Sequence, residues 1–439
     1  MGAAVFGLYA LAFGALSIHH VSYALVGLIC VFAFEQWGAI YLPFVATNGT
    51  LVNIFILSLV AIAWFRLPGG STFELVRYPT RLLLTLFLGY TFATTLWSPP
   101  DANATERFLN EFHYLVAALI VAPLLIRTSA DFTKVLDAVT GLGGILVILF
   151  AFVPDFKGRS LLLEYDLEET LGLPLALGDF AGVVFLITAL RLRFSLINII
   201  WAAAVCGSSL YLITQTGSRG QLFFATGALV VCFPVRWKAF SVNRIMTMIL
   251  VLLIAAAALF IVINTENTLS SRMAIDDDDA LGTTPRIEMA MILIEAWAAD
   301  PSVMLFGLGS SASWSRTLIS GYSHVVPIEI LGELGLVGFV LFGTCVLTLF
   351  LQAFTGKQRV QLDQKTLNNF AALMACWVFS LLLSCKQGTL LYSTGLFMYA
   401  ALAEKCLILG THKLKSSNSK SRALNKHHQK TRYRLPKSV

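Results

Sequence analysis

Arg219 stands in Thr216-Gly217-Ser218-Arg219-Gly220, a short polar stretch between two apolar runs. An arginine there either snorkels to a membrane interface or meets an anion. Arg286 opens a second segment, in which Ile287, Ala290, Met291, Ile294 and Trp297 recur at three- and four-residue steps behind Pro285, the pattern of an amphipathic helix. A cation in the first turn opposes the helix dipole, so Arg286 is either a solvated charge or the partner of a bound anion. Arg272 precedes it by fourteen residues, and Arg316 follows in the same polar region. His324 stands in Ser323-His324-Val325-Val326-Pro327, where a long apolar run begins, and proline is tolerated in a first helical turn. Its imidazole is expected at the rim of a membrane. Gly332, Gly335 and Gly338 follow at three-residue steps, a face that lets another helix approach closely. Glu329 and Glu333 lie one turn apart on that run, either as functional groups or paired with a neighbouring arginine. The run Asp276 to Asp279 offers oxygens for a divalent cation, but no glycine-spaced loop frames it and a solvated loop fits better.

The elements that carry these groups follow from composition. The chain has 439 residues, 57% of them hydrophobic and 13% charged, with a mean hydropathy of +0.76. A soluble protein carries about 25% charged residues, so a soluble enzyme, a disordered chain and a disulfide scaffold are excluded. Apolar runs near 4–18, 21–37, 50–65, 81–97, 112–126, 135–153, 174–190, 194–213, 221–235, 245–263, 326–352, 368–384 and 389–409 give thirteen candidate spans, or twelve if the first two form one span with a re-entrant piece. Each approaches the roughly 20 residues needed to cross a bilayer core as a helix. The fold class is therefore all-α, a polytopic membrane helix bundle. The first basic residue is Arg66, so no charged leader region precedes the first helices, which are expected to be uncleaved anchors. The seven cysteines show no CxxC spacing, and neither a metal site nor a disulfide framework is indicated. Phosphate-loop and dinucleotide patterns are absent, which disfavours nucleotide-driven pumping.

Basic residues give the orientation. One set of alternate connections carries Arg66, Arg77, Arg81, Arg127, Lys134, Arg191, Arg193, Arg236, Lys238, Arg244, Lys357, Arg359 and Lys365 and is assigned to the cytoplasm. The other set, 98–111, 154–173, 214–220, 264–325 and 385–388, holds eight basic residues and faces outward. Nine of the 31 Lys and Arg residues lie in 411–439, a tail without Asp or Glu, and the rest of the chain sets 22 basic residues against 25 acidic ones. Such a tail suits anionic lipid headgroups at the cytoplasmic face better than nucleic acid. Four regions result: transmembrane helices over 1–263, a periplasmic loop over 264–325 with the candidate site and its amphipathic helix, transmembrane helices over 326–410, and a basic cytoplasmic tail over 411–439.

Taken together, Thr-Gly-Ser-Arg-Gly at 216–220, the long loop with Arg286, Trp297, Pro301 and Gly307-Leu308-Gly309, and His324 followed by Glu333-Leu334-Gly335-Leu336-Val337-Gly338 resemble the O-antigen ligase and polymerase superfamily. His324, Gly335 and Gly338 fall in the ligase register of His, a polar residue, nine residues and Gly-x-x-Gly, with Val325 at the polar position. The ligase Arg-x-x-x-Leu pattern is met by none of Arg272, Arg286 or Arg316. The resemblance implies a GT-C-like bundle in a bacterial inner membrane. It also implies transfer of a glycan from an undecaprenyl diphosphate carrier to an acceptor sugar hydroxyl at the periplasmic face, without metal, nucleotide or other cofactor. Arg219 and Arg286 would clamp the diphosphate and His324 would serve as general base or as a hydrogen-bonding group. Arg272 and Arg316 would assist the clamp, and Glu333 would orient the outer site. The acceptor would be a lipid A core for a ligase or a growing polysaccharide for a polymerase. A secondary transporter is the reading from another class, disfavoured because the ionisable groups cluster at the outer rim and no internal repeat is seen.

Overall fold

The computed structural model describes residues 2–67, 78–157, 160–163, 170–171, 174–192, 195–216, 219–237, 284–355 and 362–410. The candidate span 245–263, Arg272, the Asp276 to Asp279 run and the basic tail lie outside the described residues. Within them the protein is an all-α membrane bundle. Seven helices are long and apolar enough to cross a bilayer, and Thr50–Phe65, Leu175–Leu190 and Gly220–Arg236 are shorter apolar helices. The chain runs through α1 (Gly2–His19), α2 (Ala24–Tyr41), α3 (Thr50–Phe65), α4 (Pro79–Ala93) and α5 (Ala104–Val116). Next come α6 (Ser129–Ala138), α7 (Pro174–Leu190), α8 (Leu196–Gln215) and α9 (Arg219–Cys232). The last part holds α10 (Thr284–Ala298), α11 (Pro301–Phe306), α12 (Val326–Thr355), α13 (Gln364–Ser384) and a final helix, α14, over residues 394–410. Helical segments continue α5 through Ala117–Val121 to Leu125 and α6 through Val139–Gly143 to Phe152, each with a π-helical turn in the middle. A small antiparallel hairpin sheet, β1 (Phe156–Lys157), β2 (Ser160–Leu162) and β3 (Thr170–Leu171), pairs Phe156 with Leu161 and Leu161 with Leu171.

Local capping signals start these helices, several residues ahead of the apolar runs at 135 and 368. Thr128 and Asp131 form a reciprocal capping box at α6, and Asp363 accepts from the Thr366 amide at the start of α13. Pro79 occupies the first turn of α4, where its missing N–H costs nothing. Burial separates inner from outer helices: 78% of the central α13 window is enclosed by protein against 22% of α1, which leaves Leu8 and Leu11 bare. Side chains facing hydrocarbon need no protein partner, so this gradient is the one a membrane bundle shows.

The described parts of the two sets of connections gather at opposite ends of the bundle. At one end, Arg66 donates to the Ile18 carbonyl at 2.7 Å, Arg191 pairs with Asp137 at 2.8 Å, and the fully buried Arg81 lies 3.7 Å from Glu404. Glu404 also accepts from the Thr80 and Arg81 amides and so caps α4. The other end carries 94–104, 219–221, 284–324 and 385–393, which touch one another repeatedly.

Two expectations need correction. The loop helix is not amphipathic in the expected sense: Ala290 and Leu293 are its buried positions, while Ile287 and Met291 are 60% and 47% exposed. Leu293 seats on Gly332 of α12, where a Cβ would come within 2.4 Å of it, and this contact fixes the helix's rotation. Second, the glycine steps do not form one smooth helix face. Gly335 has φ 66° and ψ −169° and breaks α12 into two pieces. α10 ends ahead of Asp300-Pro301, and Asp300 caps a further helix, α11.

Candidate functional site

The break at Gly335 builds the floor of the site. A helix interrupted at membrane depth exposes carbonyls that need donors, and the 307–309 turn supplies them. Leu308 N–H donates to the Gly332 carbonyl at 3.0 Å and Gly309 N–H to the Glu333 carbonyl at 2.9 Å. Gly307 and Gly335 both hold positive φ, and a Cβ on Gly335 would lie 2.5 Å from the Gly307 nitrogen. Only glycine permits that approach at that φ. The turn is held from a third side by α4 and the segment after it: Tyr90 Oη donates to the Phe306 and Leu334 carbonyls at 3.1 Å each, and Trp97 Nε1 donates to the Gly307 carbonyl.

Glu333 shapes the next stretch. Its carboxylate is buried and accepts from Ser311 N–H at 2.6 Å, Ser313 N–H at 3.1 Å and Ser313 Oγ at 2.6 Å. Those three donors occupy both oxygens, so Glu333 acts on the 311–313 backbone. Glu329 is likewise buried and accepts from Thr389 Oγ1 and Leu390 N–H, tying α12 to the 385–393 segment. Of the two alternatives, pairing with an arginine is not seen at either glutamate among the described residues, and these hydrogen-bond donors take its place. Asp101 plays a similar part further out, accepting from Ser315 Oγ and Arg316 N–H. The Arg316 side chain itself is exposed.

His324 follows in a left-handed conformation, φ 61°, two residues before α12. It precedes the helix and does not lie on it. Its ring is half-buried and packs on Tyr322 with centroids 4.1 Å apart. Burial, and then the charge of Arg286, lower its pKa below the ordinary 6.5. Arg286 thus lies within electrostatic range of His324. Its guanidinium also donates to the Lys386 carbonyl at 3.4 Å. Lys386 brings its own charge back across the site, because a Cβ on Gly220 would lie 2.6 Å from the lysine Nζ. Gly220 is the second residue of α9, and Arg219 opens that helix. Behind this junction Asp179 of α7 accepts from Gln221 Nε2 at 2.6 Å and Gln387 Nε2 at 3.1 Å, joining three elements.

The structure therefore brings the start of α9 at Arg219, Arg286 and His324 to one place and adds Lys386. In the sequence Lys386 counts only among the outward basic residues. Its signal is a lysine in the shortest outward turn, the counterpart of Arg219 in 214–220. Arg107 carries no local signal of its own, yet its guanidinium lies 3.8 Å over the Trp314 ring. Chemically, planar guanidinium and ammonium groups on separate elements bind phosphate oxygens well, and a neutral imidazole beside them can accept a proton. Among the described residues no group of three or more His, Cys, Asp or Glu could hold a metal ion. A cavity of about 340 Å³ between α4 and α5, with Phe92, Phe108 and Phe112 in its wall, is almost wholly apolar and offers no group for chemistry.

Residues 202–343 match the family model described as O-Antigen ligase. The matched stretch includes Arg219, Arg286, Arg316, His324 and Glu333, whereas Lys386 and Arg107 lie outside it. Among solved structures, a chain from "Structural coordination of polymerization and crosslinking by a peptidoglycan synthase complex" is similar at 15% identity and a TM-score of 0.43, over 76% of this chain and 98% of that one. No curated protein matches the chain.

Proposed function

From a chain that carries the O-antigen ligase domain over residues 202–343, we propose that the protein transfers a glycan from an undecaprenyl diphosphate carrier to an acceptor sugar hydroxyl on the periplasmic side of a bacterial inner membrane. The family match supports membrane glycosyl transfer in surface-polysaccharide synthesis. The observation that carries the finer reading is the meeting of Arg286, Lys386 and the Arg219 end of α9 beside His324. A lipid diphosphate is the anion such a cluster fits, because its two phosphates need several cations and the membrane holds its tail nearby.

In this reaction the acceptor oxygen forms a bond to the anomeric carbon, and the bond from that carbon to the diphosphate oxygen breaks. The electron pair leaves with the lipid diphosphate. Arg286 and Lys386, together with Arg219, stabilise the charge gathering there, and preorganised cations act most strongly in a site that excludes water. The acceptor proton passes to His324, whose lowered pKa keeps the imidazole neutral and ready to receive it at neutral pH. Arg316 reaches the solvent edge and Arg272 serves as a further contact to the donor. Glu333 positions the 311–313 turn. In this reading neither nucleotide nor metal takes part, the C-terminus is cytoplasmic, and the basic tail rests on anionic lipid.

Ligase and polymerase differ only in the acceptor. Membranes containing wild-type protein and a lipid diphosphate-linked glycan, with lipid A core supplied or withheld, separate them. Transfer that requires the core supports a ligase, and chain extension without it supports a polymerase. Absence of transfer under both conditions overturns the reading. The transporter alternative gains nothing from the broken α12, because the carbonyls freed at Gly332 and Glu333 are taken up by the 307–309 turn.

A further inference from the structure

Beside His324 runs a second group of side chains that the donor chemistry leaves unused. Tyr322 touches the imidazole, Trp314 lies 5.7 Å from Tyr322, and the Arg107 guanidinium covers the Trp314 ring at 3.8 Å. Arg107 is fixed in turn by its Nε, which donates to the Ala102 carbonyl at 3.0 Å. Tyr392, 58% exposed, stands within electrostatic reach of Tyr322, Arg107 and Glu111. Trp314, Tyr322 and the Arg107 guanidinium thus form one strip that ends at the imidazole, with Tyr392 and Glu111 within electrostatic reach of it.

The backbone under this strip is unusually constrained. Among the described residues, the non-glycine positions with positive φ are Asn103, Ser311, Ser320 and His324, and all four lie in the two segments that present the strip. Left-handed backbone in such residues is strained and persists only where the surroundings enforce it. Here the surroundings are carboxylates: Glu333 grips 311–313, and Asp101 grips 315–316. A loop that needed only to connect α11 to α12 would relax into ordinary turns. This one is held so that Trp314 and Tyr322 face the same neighbourhood as His324.

We propose that Tyr392, Tyr322, Trp314, Arg107 and Glu111 form the acceptor-sugar subsite, which receives a pyranose ring and turns its attacking hydroxyl toward His324. The proposal rests on the transferase reading above. Aromatic rings present apolar faces that match the C–H faces of a sugar, while their polar ends and flanking charges take its hydroxyls. The cationic cluster from α9, α10 and 385–388 serves the donor, and the aromatic strip from α5, 311–324 and Tyr392 serves the acceptor. His324 touches the strip and feels the charge of the cluster, so it lies where the two substrates meet.

The test uses the full-length protein in detergent, with methyl glucoside, methyl galactoside and methyl N-acetylglucosaminide as probes in saturation-transfer NMR. The wild type should saturate the ring C–H protons of at least one probe. Tyr392→Ala and Tyr322→Leu should weaken that signal, while Tyr392→Phe, which keeps the ring, retains it. In transfer assays the same two substitutions should raise the acceptor KM about tenfold, the effect of one lost stacking contact, with the donor KM unchanged. Equal NMR signals in wild type and variants, or no signal from any probe, overturn the proposal, as does an unchanged acceptor KM. Arg286→Ala, run in parallel, keeps the two readings apart. If transfer depends on Arg286 while the aromatic variants behave as wild type, the subsite is wrong and the transferase reading stands. If no transfer occurs but the probes still depend on Tyr392, the transferase reading fails and a sugar-binding strip remains.

Discussion

At the scale of residues, the imidazole of His324 is set by two neighbours of different kind. Burial against Tyr322 and the positive charge of Arg286 both disfavour the imidazolium, so its pKa lies below 6.5. The base form is the deprotonated one, so transfer should rise with pH through an inflection that lies below 6.5. Arg286→Ala removes the opposing charge and should move the inflection of the kcat/KM profile upward, as well as weakening donor binding. A profile unmoved by that substitution would separate the two residues functionally. Lys386 belongs to the same account from the other side: Gly220→Ala would push its ammonium away from the start of α9 without changing any charge. Arg219, Arg286 and His324 are legible in the amino-acid sequence, because each has recognisable neighbours along the chain. Lys386 and Arg107 are not, because each lies far along the chain from its partners: Lys386 is 100 residues from Arg286, and nothing local in the sequence joins them.

At the scale of elements, the interrupted helix α12 and the 307–316 loop form one unit. The loop amides satisfy carbonyls at the break, and Glu333, on the helix side of the break, satisfies loop amides in return. Glu333→Gln keeps the shape but places an amide NH2 against backbone N–H donors. Hydrogen bonds to a charged group contribute about 1.5–3 kcal/mol each, and an unsatisfied buried donor costs a comparable amount. Hydrogen exchange over 307–316 should therefore accelerate in that variant while α13 stays protected. Uniform exchange across both would show that Glu333 does not hold the loop. Sequence periodicity places the start of α12 at its observed residue and its end within three residues. It misjudges what faces what, because the glycine steps at 332, 335 and 338 read as a uniform packing face when only Gly332 receives a side chain from another helix and Gly335 adopts a conformation no regular helix contains. A positive φ leaves no mark on hydropathy, which is why the break is invisible there.

At the scale of the whole molecule, composition alone specifies a membrane bundle, and the alternation of basic connections foretells which segments meet. The two ends of the bundle carry different chemistry: buried and half-buried ion pairs such as Arg81 with Glu404 at one, and the cationic and aromatic groups around His324 at the other. Cys385 offers a direct reading of which end faces outward. It is exposed in the turn beside Lys386, whereas the other cysteines are buried or half-buried within helices. A membrane-impermeant maleimide should label intact cells expressing the protein, and Cys385→Ser should abolish that labelling. Labelling only after permeabilisation would put the His324 end in the cytoplasm.

The most direct test of the account is transfer by the purified protein from a defined undecaprenyl diphosphate-linked glycan, comparing wild type with His324→Ala at matched, folded protein levels. Loss of a general base should lower the rate about 10²- to 10⁴-fold while donor binding, which depends on Arg286 and Lys386, persists. Transfer at the wild-type rate by His324→Ala would contradict the assignment of this end of the bundle as the catalytic centre.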